Sequence, residues 1–319
     1  MLGIVLAGHL YNIFQVWNST VNRLFFAAAS AAALSMSASA DDVYNARVDD
    51  HAPIGVMGDH FHKKGETMYS LRAMFMEMGS PLNTAAGPQS MSKAMYMAGM
   101  MYAPSDKVTF AASLKYSDSS MDMLMMGHEM EAGASDIADA GFSAIIPVYQ
   151  HHDRRLLVRL GTSIPVGATG KQDDMGNRLN LGMQPGTGSW GFTPSITYSQ
   201  FLEGWSYGLQ ANARIWLDDN SYGERVGDTL TFTSWAALKV KDAISVSTRL
   251  AYSDMAATTG LAVPATGDAR QTLTGFAGIN TLVKGHRFAL EAGVPLWQDQ
   301  GLNALKSEFL LVIGWQKAF

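Results

Sequence analysis

Beyond about residue 66, polar and apolar residues alternate with period two along most of the chain. Between Trp205 and Trp216, one face carries Trp205, Tyr207, Leu209, Ala211, Ala213 and Ile215, and the other carries Ser206, Gly208, Gln210, Asn212 and Arg214. Val108 to Ser117 repeats the pattern, with Val108, Phe110, Ala112, Leu114 and Tyr116 set against Thr109, Ser113, Lys115 and Ser117. Ile244 to Ser253 repeats it again. Successive side chains of a strand point to opposite faces, so this alternation predicts strands with one apolar side. Twelve such segments are predicted, at 67–78, 92–102, 108–117, 137–149, 155–166, 191–201, 205–217, 229–240, 244–254, 270–283, 286–297 and 305–319.

The predicted connections alternate in length. APSDK, QHHDR, LEG, KDA and KGH are short, whereas 79–91, 118–136, 167–190, 218–228, 255–269 and 298–304 are longer. Short turns at one end, long loops at the other and an even strand number predict an all-β fold, a single antiparallel transmembrane β-barrel of about 12 strands over 67–319. A soluble sandwich does not predict that loop pattern. No stretch after Asp41 reaches the roughly 18 consecutive apolar residues of a spanning helix. In the last segment, SEFLLVIGWQKAF, residues Phe309, Leu311, Ile313, Trp315 and Phe319 share a face and the chain ends on an aromatic residue, although Lys317 interrupts that face. Tyr102, Tyr149, Trp205 and Trp297 near strand ends suit interfacial aromatic girdles. Both termini fall on the short-turn side, which is expected to be periplasmic.

The N-terminal region alters the compartment rather than the fold. Arg23 precedes an apolar run from Leu24 to about Leu34, and Ala38-Ser39-Ala40 supplies a small-x-small site before Asp41. This reads as a signal peptide over 21–40 cleaved between Ala40 and Asp41, and it places the mature chain in the outer membrane. Residues 1–20 lie ahead of the basic start and read as a start site assigned too early. The mature chain would then begin with a periplasmic segment, 41–66, that holds histidine and methionine and could plug a narrow lumen.

Composition excludes some chemistries and raises one. Net charge is −5 with no basic run, which argues against nucleic acid, and zero cysteine excludes disulfides and thiolate metal sites. There is no Gly-x-Ser-x-Gly, and no mature histidine falls on a lipid-facing strand position beside a serine, so no enzyme is expected. Fifteen of the 20 methionines lie between Met57 and Met130. Parity puts Met68, Met74, Met76 and Met78 on the polar face of the first strand with Ser70 and Arg72, and Met95, Met97 and Met101 on one face of the second. The second long connection reads MDMLMMGHEM, with Met121, Met123, Met125, Met126, His128 and Met130 in an exposed loop. HAPIGVMGDHFH brings His51, Met57, Asp59, His60 and His62 together.

Thioethers select Cu(I), and imidazole suits either copper oxidation state. The residues expected to hold metal are therefore Met57, His60, His62, Met68, Met74, Met76, Met78, Met95, Met97, Met101, Met121, Met123, Met125, Met126, His128 and Met130. In that reading the loop captures copper, the wall conducts it and the histidines sit at the inner mouth. Copper is then a bound or transported ion, with no resident cofactor. The competing reading is packing, since methionine is an adaptable apolar filler. A thioether wall would equally pass small apolar solutes. His151 and His152 read as a solvated turn. Arg72, Lys115, Arg159, Arg214, Lys239, Arg249, Glu291 and Glu308 are the remaining lumen candidates; such charges either balance one another or set ion selectivity.

APIGVMGDHFHKKGE, the methionine-rich first strand, MYAPSDKVTF, SSMDMLMMGHEM, SIPVGATG, LGMQPGTGSW and PSITYSQF together resemble the outer-membrane transporter proteins related to the meta-pathway phenol-degradation protein family. More narrowly they resemble its His/Met-rich branch associated with copper and heavy-metal resistance. The resemblance covers about 50–319 and implies a barrel with a transport role. The expected partners are outer-membrane lipid, copper or a small apolar solute, and a periplasmic metal-binding protein. A pore for aromatic or apolar solutes and a structural barrel without transport are the alternatives.

Overall fold

The computed structural model describes residues 47–80, 87–125, 127–260, 269–301 and 305–319. The expected signal peptide, its cleavage site and the extension over 1–20 lie outside the described residues, as does Met126. The strands are β1 (Thr67–Gly79), β2 (Gly87–Ser105), β3 (Val108–Met125), β4 (His128–His151), β5 (Arg154–Ile164), β6 (Gly191–Phe192), β7 (Ser195–Leu202), β8 (Trp205–Trp216), β9 (Thr229–Lys241), β10 (Ile244–Met255), β11 (Arg270–Val283), β12 (His286–Gln300) and β13 (Lys306–Ala318). All pairings are antiparallel; apart from those made by β6 and β7 they join sequence neighbours, and β1 pairs with β13 to close the ring. The short strands β6 and β7 both pair with β5 and β8 and share one stave. They are separated at Thr193-Pro194, where proline lacks the N–H that a ladder needs. The protein is therefore a closed antiparallel barrel of twelve staves.

Closure gives every strand a neighbour on each side and abolishes edges, which is the condition for placing a sheet in hydrocarbon. The outer face suits that setting. Leu114, Leu160, Leu209, Phe232, Leu250, Ile279 and Val294 are all exposed on it, a larger apolar belt than water tolerates. Tyr102, Tyr149, Trp205 and Trp297 are exposed near strand ends, as a girdle requires. The turns at one end are tight: Lys284 and Gly285 both adopt positive φ, 50° and 75°, which matches the twist of the flanking strands.

Two expectations about length are corrected. Strands β2, β3 and β4 run well beyond the predicted 92–102, 108–117 and 137–149. The segment expected as an exposed loop at 118–136 is the far half of the β3–β4 hairpin, paired without interruption from Ser117↔Asp136 to Met125↔His128. A spanning strand needs only about 9–11 residues. β4 has 24, so the hairpin projects past its neighbours at the long-loop end. Serine and aspartate on both faces hid this extension from a reading based on apolar alternation.

The barrel interior is filled from both ends. From the short-turn end, residues 47–62 enter the ring as a plug instead of staying outside it. Arg287 Nη1 donates to the Val48 carbonyl at 2.6 Å, Ser206 Oγ to Asp49 O at 2.8 Å, Arg72 Nη1 to Ile54 O at 2.8 Å and Gln210 Nε2 to Met57 O at 2.9 Å. Arg287 pairs with the Asp50 carboxylate, and Arg155 donates to the Asp50 carbonyl. These donors come from β1, β5, β8 and β12, so the barrel wall itself satisfies the backbone polar groups of the plug. From the other end, the connection 165–190 folds onto the inner faces of β1–β4. Asp139 anchors it by accepting from the Gly167 N–H at 3.1 Å, the Thr187 N–H at 2.9 Å and the Thr187 hydroxyl at 2.6 Å. Gly167 and Gly186 then pack backbone on backbone; a Cβ on Gly186 would lie 2.5 Å from the Gly167 carbonyl carbon.

Candidate functional site

Register settles which methionines face each other. On the inner surface Met68 stands opposite Met101, Met74 opposite Met95 and Met78 opposite Met91, which is itself opposite Met121. Parity thus assigned the inward faces correctly, because cross-strand partners share a face. The interior nevertheless divides these residues into two sets.

Towards the long-loop end, Met78, Met91 and Met121 form a buried cluster with Ala132, Ala134, Leu179 and Met183, and Met76 and Met123 pack against it. Leu179 and Met183 belong to the infolded connection. A short 3-10 turn, Leu181–Met183, seats them there, with the Asn180 side chain accepting from the Met183 N–H. Lys93 Nζ reaches the Gly182 carbonyl at 3.4 Å. These thioethers are packing. Met121 is 5% exposed, which corrects its expected place in a solvent-facing loop. Met123 stands opposite Met130, and the exposed Met125 stands opposite the exposed His128 at the hairpin tip.

Nearer the middle, Met57, Met68, Met74, Met95, Met97 and Met101 line a cavity of about 400 Å³ together with His60, Ile54, Gly58, Arg72, Lys115, Arg159, Asn212 and Arg214. The plug forms one side of this cavity and the barrel wall the other. Met68 and Met101 also pack against Ile145 and Leu157, and Met74 against Ile54, Ala289 and Val312. Met57 sits on the plug, where its sulfur contacts the Arg72 guanidinium.

The histidines of the plug are buried rather than presented at a mouth. His60 and His62 are 4% and 6% exposed, and the Nε2 of each has no hydrogen-bond partner. Each Nδ1 faces a carboxylate: Asp59 Oδ1 lies 3.0 Å from His60 and Glu66 Oε2 lies 3.4 Å from His62. His51 stacks on His60 with ring centroids 3.9 Å apart. Ligand atoms of His51, Asp59 and His60 all lie within 4.8 Å of one another. Burial, with the positive charges of Arg287 and Arg155 added, pushes the His51 imidazole well below the usual histidine range. Burial likewise pushes His62 down to about 3. Burial works to raise the Asp59 carboxyl, but His60, Arg155 and the Ala52 N–H outweigh it and hold the group at about 2. Two of these rings are therefore neutral, and a buried imidazole nitrogen without a partner carries a desolvation cost that a ligand would remove. The other cluster, His151, His152 and Asp153, lies in an exposed turn where His151 pairs with Asp153 at 2.5 Å.

The interior charges also divide. Arg249 and Glu291 form a two-pronged buried pair at 2.8 and 2.7 Å, with the guanidinium 3.6 Å above the Phe276 ring. Lys239 pairs with Asp242 at the short-turn end. By contrast, Lys115, Arg159 and Arg214 make no ion pair among the described residues. Arg155 and Arg287, which hold the plug, were not singled out from sequence. The signal was there, because both share the inward parity of Arg159 and Glu291.

No protein-family model matches the chain, and no curated protein matches it. Solved structures do. The chain is similar to the COG4313 outer membrane channel from Pseudomonas putida F1, with a TM-score of 0.61 at 13% identity over 81% of this chain and 97% of that one. The β domain of the Bordetella autotransporter BrkA aligns with a TM-score of 0.49 at 12% identity, over 80% of this chain and 100% of that one. The KdgM porin aligns at 0.41 and 9%, over 78% and 99%. At 13% identity the likeness to the COG4313 channel concerns the fold: the architecture is that of an outer-membrane β-barrel.

Proposed function

We propose that this protein is an outer-membrane channel, with both termini periplasmic, that binds copper or a metal ion of similar softness where the plug meets the thioether wall. The observation that carries the reading is the pair of buried histidines, His60 and His62. Each has a carboxylate at Nδ1 and a bare Nε2, which is the arrangement that orients an imidazole for a metal. His51 and Asp59 supply further donors beside His60, and Met68 and Met101 line the same cavity with soft sulfur. Copper would be cargo or bound ligand here. Met121 and Met123 of the hairpin take no part, because they are committed to packing.

A second reading, a pore for small apolar solutes, is favoured by one observation: thioether carbon and sulfur form much of the cavity wall. A Cu(I) competition titration of the whole refolded chain against a colorimetric chelator separates the two. Binding that is lost in His60→Ala/His62→Ala and kept in Met121→Leu/Met123→Leu is the expected result. No competition by the parent protein would remove copper and leave the apolar pore.

A further inference from the structure

Three cations that line the central cavity have neither an ion pair nor a hydrogen bond among the described residues. Lys115 on β3, Arg159 on β5 and Arg214 on β8 line the central cavity, and Lys115 and Arg159 both lie within electrostatic reach of Arg214. None is in an ion pair among the described residues, and the Arg159 Nε is buried with no hydrogen-bond partner. The carboxylate facing them is Asp139, which interacts with Lys115 and Arg214 through space. Its oxygens already accept from Gly167 and Thr187, so it offsets part of the charge without pairing with any of the three. Arg72, a fourth cation of the cavity, is partly used by the plug through its bond to Ile54. A protein that pairs Arg249 with Glu291 so closely has the means to neutralise inward cations, and here it does not. Lys115 and Arg159 are half-buried and Arg214 is exposed; positive charge concentrated on the wall of a confined cavity without a paired counter-charge attracts an anion from solution.

The rest of the lining gives the ligand its body. Met97 stands directly opposite Lys115 in the β2–β3 ladder, and Met95 lies one inward position away. Asn212 and Thr193 contribute neutral polar groups at the same cavity. A volume of about 400 Å³ suits a small organic molecule rather than a bare halide. We propose that Lys115, Arg159 and Arg214 form an anion-binding site that takes a small organic carboxylate, its charge on the three cations and its apolar body on the thioethers of Met95 and Met97. The inference goes beyond the copper reading and does not rest on it. It uses other residues of the same cavity.

The test is calorimetric, on the whole refolded chain, with hexanoate as the probe and hexylammonium and hexanol as its cationic and neutral counterparts. Hexanoate is expected to bind and the other two to bind far more weakly. Lys115→Gln and Arg214→Gln should each weaken hexanoate roughly tenfold, as expected for losing a hydrogen bond to a charged group. Heat-modifiable gel migration checks that each variant is folded. A second measurement, the reversal potential in a potassium chloride gradient, should show anion preference that falls in the double variant. Equal binding of hexanoate and hexanol, no binding of hexanoate, or unchanged binding in the folded double variant would overturn the site. The Cu(I) titration is unaffected by these substitutions, so failure here and failure of the copper reading are separate results.

Discussion

The two sets of inward methionines share a residue type, a parity and neighbouring strands, yet they do different work. Met78, Met91 and Met121 are covered by Leu179 and Met183 and behave as core. Met95 and Met97 border an open cavity, where a flexible thioether wall can adapt to a guest. What separates them is a segment some 60–100 residues further along the chain that folds back over one set and stops short of the other. The charges teach the same lesson. Arg249 found Glu291 two strands along the same wall, whereas Arg214, equally inward, found no ion-pair partner among the described residues. Methionine or arginine at an inward position says where a side chain points and leaves open what it meets.

The comparison can be broken by substitution. The largest effect is expected at the buried pair. Glu291→Leu strands the Arg249 guanidinium, whose partner carboxylate is 1% exposed, and should cost about 3–5 kcal/mol in urea unfolding followed by tryptophan emission. Next comes the covered methionine layer. Met121→Ala leaves a void against Met183 and should cost about 2–4 kcal/mol, with faster proteolysis within 165–190 as its companion readout. A stability loss equal to that of Met95→Ala would show that the two layers do not differ. Met95→Ala itself should cost less than about 1 kcal/mol, because no neighbour closes on the space it vacates. Smallest of all, Arg214→Gln should shift stability by no more than about 0.5 kcal/mol while altering anion binding. A large destabilisation there would mean that the guanidinium supports the fold.

Much of the fold was legible from sequence. The period-two pattern located every stave, and the parity of β1, β2 and β8 matched the observed register. The alternation of loop length announced closure. The errors fell where apolar alternation fades. Asp118, Ser119 and Ser120 read as loop because both faces are polar, yet they continue β3, since a hairpin standing beyond an apolar belt needs no apolar face. Of the candidate site, His60 and His62 were visible as a sequence cluster with Asp59. Their burial and bare nitrogens were not visible, because these depend on Arg155, Arg287 and Gln210 drawing the plug into the ring.

The sequence by itself determined strands, their inward and outward faces and the closed barrel. All of these follow from a local rule, the two-residue repeat of an extended chain, with hydrocarbon demanding that every backbone group be paired. Tertiary structure alone decided which thioethers are core and which line a cavity, which cations are paired, and that the N-terminal segment fills the lumen. The interior of a barrel is assembled from residues far apart in sequence. What each inward side chain meets is set by register around the ring and by segments entering from both ends, neither of which is written in any local pattern.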